Sequence, residues 1–315
     1  MMGSSTYATC ILLLILFTFT AGCEPTHVPD SSVAEQRNRT IEDDLGRTLQ
    51  MPDTIARVVT LAPNLTEIVF AAGAGHTVVG VGRPDDYPAA VDTLPRYSVY
   101  PVDFEAVAAL RPDLAFAAEQ VNSRRDADML STLGIPTYFM ASSTLNDILD
   151  GILTAGELLG TSEAAAHAVD SLRSRKHTLA EVTSEVARRP LTLFLISDET
   201  LFSFGRESYM HELIELAGGR SATGELDMTA PILSEEFVLS IEPEIIIGPW
   251  GDDYDASRLL ELHPTWDVIP AVENGRVYGV EASIVERPGP RLIEGAWAMA
   301  RRIHPDLFED GAQND

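Results

Sequence analysis

The feature that most constrains this chain is a pattern written twice. Glu105-Ala106-Val107-Ala108-Ala109-Leu110-Arg111-Pro112-Asp113-Leu114 is echoed by Glu236-Phe237-Val238-Leu239-Ser240-Ile241-Glu242-Pro243-Glu244-Ile245. In each copy a short helix runs into a proline that cannot continue it. An acidic residue follows, then an apolar strand, LAFAA from Leu114 and IIIGPW from Ile245. The opening units of the two halves agree with this plan. Arg57–Leu61 (RVVTL) and Leu191–Ile196 (LTLFLI) read as buried strands. After the first of these a helix is expected from Leu65 to Gly73-Ala74-Gly75, with Asn64 and Glu67 spaced like a capping box. After the second, a helix over Tyr209–Ala217 stops at Gly218-Gly219. Strands alternating with helices imply βα units and parallel sheets, and an internal repeat implies two lobes of similar plan.

Thr161 to Arg189 lies between the halves without a Gly or Pro, and Ala165, Val169, Leu172, Leu179, Val182 and Val186 recur at helical spacing. The expectation is one long helix of about 40 Å, enough to cross a domain. The fold class read from the chain is therefore α/β: two Rossmann-like lobes with mainly parallel sheets, joined by one long α-helix. The expected boundaries are a signal peptide at 1–22, a lipidated tether at 23–39, and an N-terminal α/β lobe at 40–143. A helical linker with the long backbone helix follows at 144–189, then a C-terminal α/β lobe at 190–310. A ligand should sit between the lobes at the carboxyl ends of the strands.

Charge narrows the function. Lys and Arg number 22 against 48 Asp and Glu, a formal charge of −26. That balance excludes a nucleic-acid partner, which needs clustered cations, and docking on an anionic leaflet through a polybasic face. An excess of acid suits a salt-rich habitat, where self-repulsion is screened. Lys176 is the sole lysine and has no glycine loop before it, so neither a phosphate loop nor a tuned Schiff-base lysine is available. Neither H-E-x-x-H nor G-x-S-x-G occurs.

At the amino terminus, Ile11–Ala21 (ILLLILFTFTA) has the length of a signal-peptide core and is too short to remain as a spanning helix. It ends in Thr20-Ala21-Gly22-Cys23, which resembles a bacterial lipobox, although Thr20 stands where leucine is usual. Cys10 and Cys23 are the only cysteines, so an exported chain cut before Cys23 forms no internal disulfide. The resemblance implies acylation of Cys23 and a lipid anchor on the exported face of a bacterial membrane.

Several segments in fixed order carry a wider resemblance: RVVTLAPNLTEIVFAAGAGHTVVGV from Arg57, RPDDYP from Arg83, FEAVAALRPDLAFAA from Phe104, STLGIPTYFM from Ser131, ELAGG from Glu215, and NGRVYGV with ERPGPRLIEG near the end. Over roughly residues 40 to 305 the chain resembles the helical-backbone substrate-binding proteins of ABC importers, and within them the cobalamin-binding branch. The resemblance implies a non-enzymatic, monomeric receptor with no cofactor of its own. It would capture a cobalt corrinoid, or alternatively a ferric siderophore or haem, and deliver it to a membrane permease driven by separate ATPase subunits. A corrinoid is a broad, mostly apolar disc rimmed with amides, so aromatic loop residues are the natural contacts. The candidates are Pro63, Asn64, Asp86, Tyr87, Tyr97 and Tyr100 in the first lobe, and Phe202, Phe204, Trp250 and Ile284 in the second. For permease docking the resemblance implies Glu286. In the first lobe Arg124 stands where the corresponding glutamate is expected, leaving Asp126 or Asp128 as the substitute.

For an anionic chelate, Arg83, Arg206 and Arg287 would be the cations. Asp85 is read as satisfying turn backbone groups. A hydrolase built on Asp85 and Asp86 is the reading from another class, but adjacent residues rarely aim at one reacting centre. The seven histidines show no ligand spacing for a protein-bound metal, with His211 and His263 the two that could approach a ligand's cobalt or iron.

Overall fold

The apolar runs become fully buried parallel strands. The computed structural model describes residues 38–308; the signal sequence, Cys10, Cys23 and nearly all of the tether lie outside them. After the hairpin β1 (Asn38–Glu42) and β2 (Thr48–Pro52), the N-terminal lobe contains β3 (Val58–Thr60), α1 (Pro63–Ala71), β4 (Val78–Gly82), β5 (Arg96–Tyr97) and α2 (Phe104–Ala109). It continues with β6 (Leu114–Ala118), α3 (Arg124–Thr132) and β7 (Thr137–Met140). These strands form one parallel sheet in the order β5-β4-β3-β6-β7. The C-terminal lobe holds β8 (Leu191–Phe194), α6 (Tyr209–Leu216), β9 (Arg220–Ser221), α7 (Glu235–Ile241), β10 (Ile245–Gly248), α8 (Ser257–Leu262), α9 (Pro270–Glu273), β11 (Val277–Gly279) and α10 (Leu292–Ile303). Its parallel sheet runs β11-β10-β8-β9. In both sheets the chain steps first to one side of its opening strand and then to the other. The switch points, β3/β6 and β8/β10, are where loops diverge and leave a crevice.

Two helices, α4 (Leu145–Leu159) and α5 (Ser162–Ser184), join the lobes. Gly160, at φ 74°, ends α4 in the left-handed conformation that a residue without Cβ adopts freely. Both helices serve both cores. Leu149, Ile152 and Ala155 of α4 and Ala165 and Val169 of α5 pack in the first lobe. Leu145, Ile148 and Leu179 pack in the second, and Leu172 touches both. The long helix is shorter than its expected span of Thr161–Arg189, at about 35 Å. It ends where Thr183 docks on the second lobe: its hydroxyl donates to the Leu216 carbonyl at 3.0 Å, and the chain then turns toward β8. Among the described residues no helix is long and apolar enough to cross a membrane.

β1 places residues 38 and 39, ahead of the expected boundary at 40, in a hairpin with β2 that covers the edge of β7. Asp43 accepts from the Phe139 amide at 3.2 Å and pairs with Arg47 at 2.8 Å. Arg47 donates to the Thr137 carbonyl at 2.6 Å and lies 4.6 Å from the Phe139 ring centre. Asp44 accepts from the Tyr138 hydroxyl at 2.7 Å and the Ala141 amide at 2.8 Å. Two carboxylates thus satisfy donors of an otherwise open sheet edge. Asp43→Ala strands a partly buried guanidinium and should cost about 3 kcal/mol, read as a lower urea midpoint with unchanged slope.

Candidate functional site

The two lobes meet through their βα loops. The loop joining β11 to α10, residues 280–291, reaches across to the start of α1 and to the loop after β4. Arg291 grips Glu67 along one edge of its guanidinium, Nε donating to Oε2 at 3.0 Å and Nη2 to Oε1 at 2.6 Å. Its remaining nitrogen donates to Ser283 Oγ at 3.0 Å, and the group lies 4.3 Å from the Tyr87 ring centre. Arg287 forms a second bidentate pair with Asp86, one arm at 3.0 Å, and approaches Glu67 to 3.8 Å. Asn64 Nδ2 donates to the Pro288 carbonyl at 3.2 Å. Gly289 packs against Asn64 and Glu67 so closely that an added Cβ would stand 3.3 Å from Glu67 Oε2.

This overturns the local reading of Asn64 and Glu67 as a capping box. α1 starts two residues earlier than expected, with Pro63 in its first turn and Ala62 as a cap without a side-chain bond. Asn64 and Glu67, freed from capping, turn outward to the other lobe. Glu67 is only 3% exposed, and burial pushes its carboxyl up, opposed by the hydrogen bond and charge of Arg291. Asp86 is exposed, and the hydrogen bond from Arg287 holds its carboxyl below the ordinary aspartate range.

Asp85, behind this bridge, is buried at 2% exposure. The Thr66 hydroxyl donates to its Oδ1, Thr66 and Thr60 hydroxyls stand 2.6 Å apart, and Oδ2 has no hydrogen-bond partner among the described residues. Burial pushes Asp85 up to about 6. It is a carboxyl inside the lobe, not a turn residue satisfying backbone amides. The same network removes Tyr97 from the cleft. Tyr97 is 1% exposed; its hydroxyl donates to the Thr60 carbonyl at 2.8 Å and accepts from the Thr60 amide at 3.1 Å.

Of the other sequence candidates, Pro63 opens α1 beyond the carboxyl end of β3, and Tyr87 and Tyr100 lie on first-lobe loops after β4 and β5, with Tyr100 83% exposed. In the second lobe Phe202 and Trp250 are partly exposed on the loops after β8 and β10. Ile284 is a correction: it is buried among the apolar residues of the second core. Phe204 is another, its ring packed on Phe194 and Tyr209 at 5.9 and 5.3 Å. Asp126 accepts from the Ser123 amide at 2.7 Å and closes a true capping box at the start of α3, so its carboxylate is committed there. Glu286 is exposed, as is Asp128. His263 is buried against Trp266, with Nε2 2.8 Å from the Asp198 carbonyl and Nδ1 3.2 Å from Glu235, so neither nitrogen is free for a ligand.

The sequence reading missed two features of the second lobe. Met228 and Ile232 are exposed apolar residues, and Ile232 forms a β-bridge with Phe202. An apolar patch in a proline-bearing loop was the available signal. Trp250 packs on Tyr254 with centroids 4.3 Å apart and planes tilted by 34°, and this pair is held by Asp198, which accepts from Tyr254 Oη at 3.2 Å and from Arg258 Nε at 2.5 Å. Nothing local in the sequence announces that contact.

Comparison with known proteins fits this architecture. Residues 58–283 match the model of the periplasmic binding protein family. The chain belongs to that family. It is 28% identical over 312 residues to an uncharacterised ABC transporter substrate-binding lipoprotein, YvrC, of Bacillus subtilis, covering 95% of this chain and 97% of that one. It is 26% identical over 314 residues to a cobalamin-binding protein of Halobacterium salinarum, covering 95% and 84%. The solved vitamin B12-binding protein BtuF of Vibrio cholerae superposes with a TM-score of 0.69 at 24% identity, over 82% of this chain and all of that one. At that identity the likeness shows the fold. Periplasmic binding proteins serve transport, so the chain is a substrate-binding protein of an ABC importer and not a hydrolase.

Asp85 gives a pH test. Its folded value, about 6, lies above that of the unfolded chain, so the stability it contributes is present in acid and is lost as pH rises through about 6. Asp85→Asn cannot ionise. The stability difference between variant and parent should therefore move in the variant's favour from pH 4 to pH 7 and stay level above, measured by urea unfolding at each pH.

Proposed function

We propose that the cleft captures cobalamin or a closely related corrinoid and delivers it to a membrane permease with its ATPase subunits. The observation that carries this reading is the state of the cleft's cations. Arg287 and Arg291 are neutralised by Asp86 and Glu67, and Arg206 pairs with Glu225 at 3.0 Å and Asp227 at 3.3 Å. Apart from Arg83, what remains open on these loops is largely aromatic and apolar: Tyr87, Tyr100, Phe202, Ile232 and Trp250. Such a rim suits a broad uncharged disc with amide edges better than an anionic chelate. The cobalamin-binding relative supports the same ligand class.

One observation favours a second reading. Arg83 is exposed on the loop beside Tyr87, and among the described residues it has no salt-bridge partner. A ferric siderophore or haem would use it. On either reading the receptor is a monomer that binds no cofactor beyond its cargo. It is held to the membrane by acylated Cys23, with Glu286 meeting the permease. Asp128, exposed on α3, supplies the first-lobe carboxylate for docking.

Equilibrium titration of the full chain with cyanocobalamin, haem and a ferric hydroxamate, followed by tryptophan fluorescence, tests this. Cyanocobalamin should bind saturably at micromolar concentration or below, and Trp250→Phe should weaken it by about tenfold, the loss of one good aromatic contact. No cyanocobalamin binding at that concentration, or tighter binding of an iron chelate abolished by Arg83→Ala, contradicts the proposal.

A further inference from the structure

We infer that Glu67, Asp86, Arg287 and Arg291 form a standing latch that fixes the separation of the lobes before any ligand arrives, and so sets the aperture of the cleft. The inference rests on the proposed function only in placing the ligand between the lobes. Four observations carry it. Both ion pairs are bidentate and each joins one lobe to the other. Glu67 is buried beneath Gly289 and Arg291 of the other lobe, so opening the hinge would strip its carboxylate of the guanidinium that pairs with it. Arg291 is also fixed by Ser283 and by the Tyr87 face, which removes the freedom that weakens ordinary surface pairs. Gly289 seats against Asn64 and Glu67, where an added Cβ would stand 3.3 Å from Glu67 Oε2, so the contact is close-packed as well as charged.

The other ties between the lobes lie along α4 and α5. Leu145 N donates to Glu212 at 3.3 Å, and Thr183 holds Leu216. These packed helices act as the spine, and the latch closes a second side. A two-sided frame cannot swing about the spine alone. Tyr87 belongs to the latch on one face through Arg291 and is 46% exposed on the other, so the same residue couples lobe spacing to the surface a ligand would meet. The acidic groups facing the two guanidiniums are Glu67, Asp86 and, deeper, Asp85. No unbalanced positive charge therefore drives the lobes apart.

Distances between nitroxides on Ala90 and Glu261, in the ligand-free full chain with Cys10 and Cys23 replaced by serine, test the latch without a ligand. The parent should give one narrow distribution. Arg287→Ala with Arg291→Ala should add a longer-distance population, and the corresponding lysine pair should keep most of the short one. Asp86→Asn, at an exposed site, should broaden the distribution without risk to the core. Distributions that coincide in all of these proteins would overturn the inference. Where ligand binds, its apparent dissociation constant should rise in proportion to the closed fraction lost, about tenfold for a variant closed a tenth of the time. Failure of corrinoid binding in the parent would count against the proposed ligand and leave the distance result intact.

Discussion

The architecture depends on a buried ion pair between residues 224 positions apart, Glu67 and Arg291. Each lobe has its own sheet, and the two cores share the spine of α4 and α5. Away from that spine, what fixes one lobe against the other is the desolvated carboxylate of Glu67 and the guanidinium that completes it. Replacing a buried pair of this kind by apolar groups can be neutral, but leaving either member alone is costly. The pair therefore acts as a registration device more than as a source of net stability. Arg287 with Asp86, Asn64 with Pro288, and the tight approach of Gly289 follow from the position it imposes.

The same interaction shapes the chemistry of the cleft. In a chain with a charge of −26, arginines near a binding site would be expected to serve an anionic cargo. Here the two arginines of the RPGPR segment instead neutralise first-lobe carboxylates. The loops facing the open side retain aromatic and apolar groups, backed by the Asp198–Arg258 contact beneath Tyr254 and Trp250. Acid excess and a neutral cleft are thus compatible: the field of the whole surface governs solubility, and local pairing governs recognition.

Much of the fold was legible in the chain. LAFAA and IIIG are central strands, the prolines after Arg111 and Glu242 end their helices, and the run after Thr161 is the rod between lobes, because these features are set by local propensity and burial. The site was legible as loops more than as residues. Asn64 and Glu67 look like a capping box since their spacing is right, yet Pro63 moves the helix start and a partner from the far end of the chain claims both side chains. Tyr97 and Ile284 flank loops and face inward, because which side of a loop a residue takes depends on tertiary packing. Asp126 has the spacing of a helix-start acid, and that local role holds its carboxylate. Glu67 paired with Arg291 is a contact no local pattern encodes.

The most direct test of this account is a double-mutant cycle on Glu67 and Arg291, using urea unfolding of the parent, Glu67→Gln, Arg291→Met and the double variant. The account requires a coupling energy of about 2–3 kcal/mol, with the double variant more stable than the sum of the single losses implies. A coupling within about 0.5 kcal/mol of zero, the value for independent sites, would mean that the pair does not hold the lobes in register.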